Sequence, residues 1–99
     1  MSFCSYKFNK PADVSVDPAD GTIYVADGYG NSRVVAFNPE GVFLRMFGGV
    51  FGTGPKQINC AHNCAYAEGK LVIADRNNSR FHIYDAETTE HLETWEHAA

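Results

Sequence analysis

Three side chains of this sequence could do chemistry together: the phenol of Tyr29, the imidazole of His62 and the guanidinium of Arg76. A phenol can accept a proton, an imidazole can ligate a metal, and a planar guanidinium can anchor an anion through its fork of N–H donors. A second constellation competes for His62. Cys60, His62 and Cys64 alternate, so one continuous strand would turn all three to the same face. Ends four residues apart on such a strand are separated by roughly 13 Å, too far to share one ion through bonds of about 2.3 Å. At most two of them could serve one metal, and small apolar packing is the stronger reading of both cysteines.

What singles out the first trio is a repeat. Ala26-Asp27-Gly28-Tyr29-Gly30-Asn31-Ser32-Arg33 and Ala74-Asp75-Arg76-Asn77-Asn78-Ser79-Arg80 are two versions of one phrase, 48 residues apart from Asp27 to Asp75 and 47 from Arg33 to Arg80. Periods of this length belong to propeller blades rather than to leucine-rich or ankyrin units. Asp27 with Asp75, and Asn31-Ser32-Arg33 with Asn78-Ser79-Arg80, recur in both copies, so they read as scaffold: blade-locking hydrogen bonds and ion pairs. The unshared residues are Tyr29, Arg76 in place of Gly28, and His62 between the copies.

The elements around them read as short strands. Ala12–Val16, with Val14 and Val16 on one face, Thr22–Ala26, Arg33–Phe37 and Val42–Phe47 make a first four-stranded meander, turning at Asp17–Gly21 and Asn38–Gly41. A Gly-rich stretch from Gly48 to Gln57 crosses to Asn63–Ala67, Leu71–Ala74, Arg80–Tyr84 and His91–Trp95. No segment has a convincing helical period, Glu87–His97 included. The expected organisation is a lead-in at 1–10, a first blade at 11–47, an inter-blade loop at 48–61, a second blade at 62–95 and a tail at 96–99. In a meander the connections alternate between ends, which places 27–32, 48–62 and 75–79 on one rim and the tight turns on the other. The fold class is therefore all-β, two four-stranded antiparallel blades of a β-propeller. Two blades do not close a ring, so the chain is expected to be part of a larger propeller or to assemble with copies of itself.

Composition sets outer bounds. With 8 Lys and Arg against 12 Asp and Glu, and a formal charge of −4, the chain lacks the clustered positive charge of a nucleic-acid surface, and no nucleic-acid partner is expected. No apolar run reaches the roughly 20 residues that span a bilayer, and no signal peptide is readable at the N-terminus. Cys4, Cys60 and Cys64 have no redox or zinc-ribbon spacing and read as free thiols. His82, His91 and His97 carry no matching motif and are expected on solvent-facing strand and tail positions.

The blades resemble NHL repeats. The succession Asp27-Gly28-Tyr29-Gly30-Asn31-Ser32-Arg33, then His62, then Ala74-Asp75-Arg76-Asn77-Asn78-Ser79-Arg80 resembles peptidyl-α-hydroxyglycine α-amidating lyase, the second catalytic domain of the peptide-amidating monooxygenases, from about Phe8 to Tyr84. The resemblance implies two blades of a six-bladed ring. It also implies a lyase that splits a peptide ending in α-hydroxyglycine into a peptide amide and glyoxylate, with that peptide as substrate and a monooxygenase domain or the remaining blades as partners. By matching position it gives catalysis to Tyr29, zinc ligation to His62 and substrate contact to Arg76. Two further zinc histidines lie outside this chain, a structural calcium belongs to the complete domain, and the segment alone is expected to be inactive.

The local match departs from that pattern in places. Ala61 stands where the family has a proline before the histidine, and Asn63 where it has a serine. Two disulfides implied by the resemblance have lost both partners, Asn9 with Gly30 and Val72 with Ile83. The family setting is secretory or extracellular, whereas missing disulfides suit a reducing compartment as well. Two other function classes remain at this level. One is an NHL propeller that binds protein partners without chemistry; the other, a calcium-dependent hydrolase, would need more rim carboxylates than Asp27 and Asp75.

Overall fold

The computed structural model of the chain describes residues 12–28 and 31–96. Among them run eight strands: β1 Asp13–Val16, β2 Ile23–Asp27, β3 Arg33–Phe37, β4 Phe43–Gly48, β5 Ala61–Ala67, β6 Lys70–Asp75, β7 Arg80–Asp85 and β8 His91–Glu96. They form two antiparallel four-stranded meanders, β1-β2-β3-β4 and β5-β6-β7-β8. One 3-10 turn, Arg76–Asn78, is the only helical element described. The sequence reading of an all-β pair of meanders holds.

Turn chemistry explains why the strands stop where they do. Asp17, Asn38 and Asp85 each open a turn with a side-chain oxygen that accepts backbone N–H groups two to four residues on: Ala19, Glu40 with Val42, and Glu87 with Thr88. This local bonding competes with the ladder and ends it. Between β5 and β6 the two central residues, Glu68 and Gly69, take φ of 49° and 82°, the left-handed pair that matches strand twist in a tight hairpin.

Register fixes which residues share a face. Tyr24 and Ala26 lie opposite Ala36 and Val34, with Phe47 opposite Val34, and this face of the first sheet is buried against the second. The second sheet answers with Cys64, Leu71, Ile73 and Tyr84. Tyr24 stacks on Tyr66 at 5.6 Å, and Phe47 meets Tyr84 edge-on at 5.7 Å, both within the favourable range for aromatic pairs. β5 packs against β1 and β2. Asp13 Oδ2 accepts the Cys64 amide at 3.2 Å and Ser15 Oγ accepts the Tyr66 amide at 3.3 Å, so β1 also grips the backbone of β5.

The pairings superimpose one sheet on the other: Ala26 corresponds to Ala74, Val34 to Phe81, Phe47 to Trp95 and Val35 to His82. The buried face of the first sheet therefore corresponds to the outward face of the second, where Phe81 and Trp95 are 45% and 56% exposed. Val14 and Val16 do share a face, as their alternation predicts, but it is the outward one of the first sheet. Val72 and Ile83, the two positions at which the family resemblance implies a disulfide, are direct cross-strand partners. Asn9 and Gly30, the other such positions, lie outside the described residues, as does Cys4.

Candidate functional site

One end of both sheets gathers the β2–β3 loop, the 49–60 linker and the β6–β7 turn. The linker is stitched to its neighbours on both sides. Gly49 N donates to Ser32 O, Ser32 Oγ to Asn59 O, Asn78 Nδ2 to Gly52 O, and Arg80 Nη2 to both Gly54 O and Gln57 O.

The repeated Asp and Arg residues are buried and locked, as scaffold should be. Asp27 Oδ2 accepts Asn31 Nδ2 at 2.6 Å and Arg33 Nε at 3.0 Å. Asp75 Oδ2 accepts Asn78 Nδ2 at 2.7 Å and Arg80 Nε at 3.4 Å, and its Oδ1 accepts the amides of Asn59 and Cys60, each at 3.0 Å. Burial pushes the Asp75 carboxyl up, but the Cys60 amide, Asn78, the Asn59 amide and His82 outweigh it and hold the group below the ordinary carboxylate range.

His62 sits on a β-bulge. Ala61 pairs with Asp75 and Asn63 with Ala74, so His62 is the extra residue in β5, and the alternation that would align it with Cys60 and Cys64 is broken there. Bulges re-aim a side chain, and this one is half-buried with Nδ1 2.7 Å from Asn63 Oδ1. Asn63 Oδ1 can only accept, so in that contact the neutral ring carries its proton on Nδ1. One imidazole is one ligand, and no group of three or more candidate ligands occurs among the described residues. Cys60 and Cys64 are buried; burial pushes both thiols up, Cys64 to about 12, so they are neutral packing groups.

Arg76 opens the 3-10 turn directly after Asp75 and is exposed, and its amide donates to Cys60 O at 2.9 Å. His62 and Arg76 thus flank the same Ala61–Asp75 pair. At the equivalent of Arg76, Gly28 lies so close to β5 that a Cβ would fall 2.1 Å from the Ala61 carbonyl oxygen. Glycine is required at 28 by that approach. Tyr29 follows immediately and lies outside the described residues.

Two histidines depart from the sequence reading. His82 is fully buried and His91 is half-buried, rather than solvent-facing. The alternation of β7 puts His82 on the face that packs against the first sheet, and its ring is bonded on both sides, which removes the usual penalty of burying a polar group. His97 lies outside the described residues.

The repeated meander with its Asp–Asn–Arg lock is a pair of propeller blades of NHL type, and the NHL repeat profile matches residues 8–37. Relatives give the class a narrower setting. The chain is 37% identical over 95 residues to peptidyl-glycine alpha-amidating monooxygenase B of Xenopus laevis, covering 91% of this chain and 11% of that protein. It is 33% identical over 86 residues to a probable peptidyl-alpha-hydroxyglycine alpha-amidating lyase of Caenorhabditis elegans, covering 84% and 24%. NHL repeat-containing protein 3 of Mus musculus is 36% identical over 93 residues, covering 91% and 26%. The chain is thus an NHL-repeat homologue of the peptide-amidating enzymes, spanning about a tenth of the monooxygenase and about a quarter of the lyase.

Proposed function

We propose that this segment forms part of the active rim of a zinc-dependent lyase that cleaves peptidyl-α-hydroxyglycine to a peptide amide and glyoxylate. The observation that carries the reading is the pair flanking Ala61–Asp75: an imidazole re-aimed by a β-bulge and an exposed arginine, in a homologue of amidating enzymes. Arg76 would hold the substrate carboxylate through its planar fork. Tyr29 would take the proton of the substrate hydroxyl; its ordinary pKa near 10 requires a neighbouring cation for that role at neutral pH. Zinc, when bound, would acidify that hydroxyl as it acidifies a bound water. His62 Nε2 would hold it, and catalytic zinc takes three protein ligands, so the other two come from outside this segment.

The test is glyoxylate release from an α-hydroxyglycine peptide by the protein that carries this segment, with and without a chelator. Turnover abolished by chelation and by His62→Ala supports the reading; unaffected turnover in Tyr29→Phe or Arg76→Ala refutes the role assignment. The similarity to NHL repeat-containing protein 3, whose name specifies the repeat alone, favours a second reading: a propeller segment that binds protein partners without chemistry. Absence of any glyoxylate release, with a peptide still bound at this rim, would select it.

A further inference from the structure

Comparing the sheets residue by residue leaves a second set of differences. Where the first sheet has Val35 and Phe43, the second has His82 and His91. His82 Nε2 lies 3.4 Å from Asp75 Oδ2, and His82 Nδ1 lies 3.0 Å from His91 Nε2, which is also 3.2 Å from Thr94 Oγ1. An ionised Asp75 accepts only, so His82 carries its proton on Nε2 and accepts on Nδ1. His91 Nε2 must then be the donor. The chain of donors runs His91 to His82 to Asp75, and the other oxygen of Asp75 receives the amides of Asn59 and Cys60. It links the outermost strand, β8, to the peptide two residues before His62.

We propose that His82 is a positioning residue. The His91–His82–Asp75 chain fixes the backbone leading into β5, and with it His62, and mild acid unties it. With both rings protonated, His82 Nδ1 and His91 Nε2 would set two N–H donors against each other across 3.0 Å, and the His82–His91 bond cannot survive that. The groups facing the pair are Asp75 from β6, Arg80 and Tyr84 from β7, Glu96 from β8 against Arg80, and Lys56 from the linker. Burial lowers the His82 pKa, with Arg80 acting in the same direction and Asp75 against it; burial, His82 and Lys56 lower that of His91. Lowered folded-state values mean that the stability tied to the neutral pair is complete above the ordinary value of about 6.5 and is lost as the pH falls from there through the folded values.

Amide hydrogen exchange on the whole chain reads the tie directly. Between about pH 7.5 and about pH 5.5, after correction for intrinsic exchange, protection at Asn59 and Cys60 should fall by up to about tenfold for each histidine, more than at Val34 and Ala36 in the first sheet. His82→Val, which copies Val35, and His91→Phe, which copies Phe43, should each flatten that pH dependence; the second variant, at the half-buried end, keeps the test open if the first fails to fold. Protection that is insensitive to pH in the native chain, or an unchanged acid response in a folded variant, overturns the proposal, as does a proton on His82 Nδ1 at about pH 7.5 by nitrogen-detected NMR. The consequence for His62 rests on the function proposed above. The exchange measurement needs neither zinc nor turnover, so the two readings can fail separately.

Discussion

The two sheets share a skeleton and differ in what they hang on it. Both end their second strand in a buried Asp that binds an Asn from the next loop and the Arg that opens the next strand, and both carry apolar residues on the corresponding face, buried against the second sheet in the first and exposed in the second. The first sheet then yields its rim to close packing, with bare backbone at Gly28 against Ala61. The second uses the same positions for polar groups: Arg76 for Gly28, His82 for Val35, His91 for Phe43. Repetition supplies the frame, and the departures from it supply whatever is specific to this segment.

The largest contrast lies in equivalent positions with opposite burial. Phe47→Ala should cost about 3–5 kcal/mol, because the ring is fully buried between Tyr24 and Tyr84, whereas Trp95→Ala, at the exposed equivalent, should stay within about 0.5 kcal/mol in urea denaturation. Asp75→Ala should cost about 3–5 kcal/mol by the same measurement, since it removes the buried counter-charge of Arg80 and the acceptor of two amides. Gly28→Ala should cost about 1–3 kcal/mol by forcing Ala61 away, while Arg76→Gly should move the midpoint little. A smaller effect separates the sheets by pH. In thermal melts the native chain should lose stability as the pH falls below about 6.5, by about 1.4 kcal/mol per unit of histidine pKa depression, and His82→Val should reduce that slope to what His91 alone contributes. The acid limb set by the lowered Asp75 pKa, below about pH 4, should remain in that variant. Last, Arg76→Ala should leave the midpoint within about 0.5 kcal/mol, so any loss of turnover in the protein carrying it is not a folding effect.

The strands were legible because alternation and turn chemistry coincide: Asp17, Asn38 and Asp85 stop each ladder where the apolar pattern stops. The division of the repeated phrase into a locked Asp–Asn–Arg set and exposed Arg76 was legible by subtraction. Three things were not. The bulge at His62 inserts one residue into a strand whose pattern reads straight through, because Ala61 and Asn63 are small enough to tolerate either parity. The 3-10 turn at Arg76–Asn78 is too short to leave a period. The burial of His82 depends on His91, nine residues away across a turn, and a histidine looks exposed in sequence until its partner is found.

The contact of Gly28 with Ala61 bears on how the chain comes apart. Backbone lies on backbone there with no side chain to give way, and β1 holds the amides of β5 a few residues on. Loosening one sheet therefore strips hydrogen-bond partners and packing from the other at once. Cooperativity should extend across the pair: a single melting transition, the same midpoint for fluorescence from Trp95 and for the signal of the first sheet, and no half-folded species that keeps one blade.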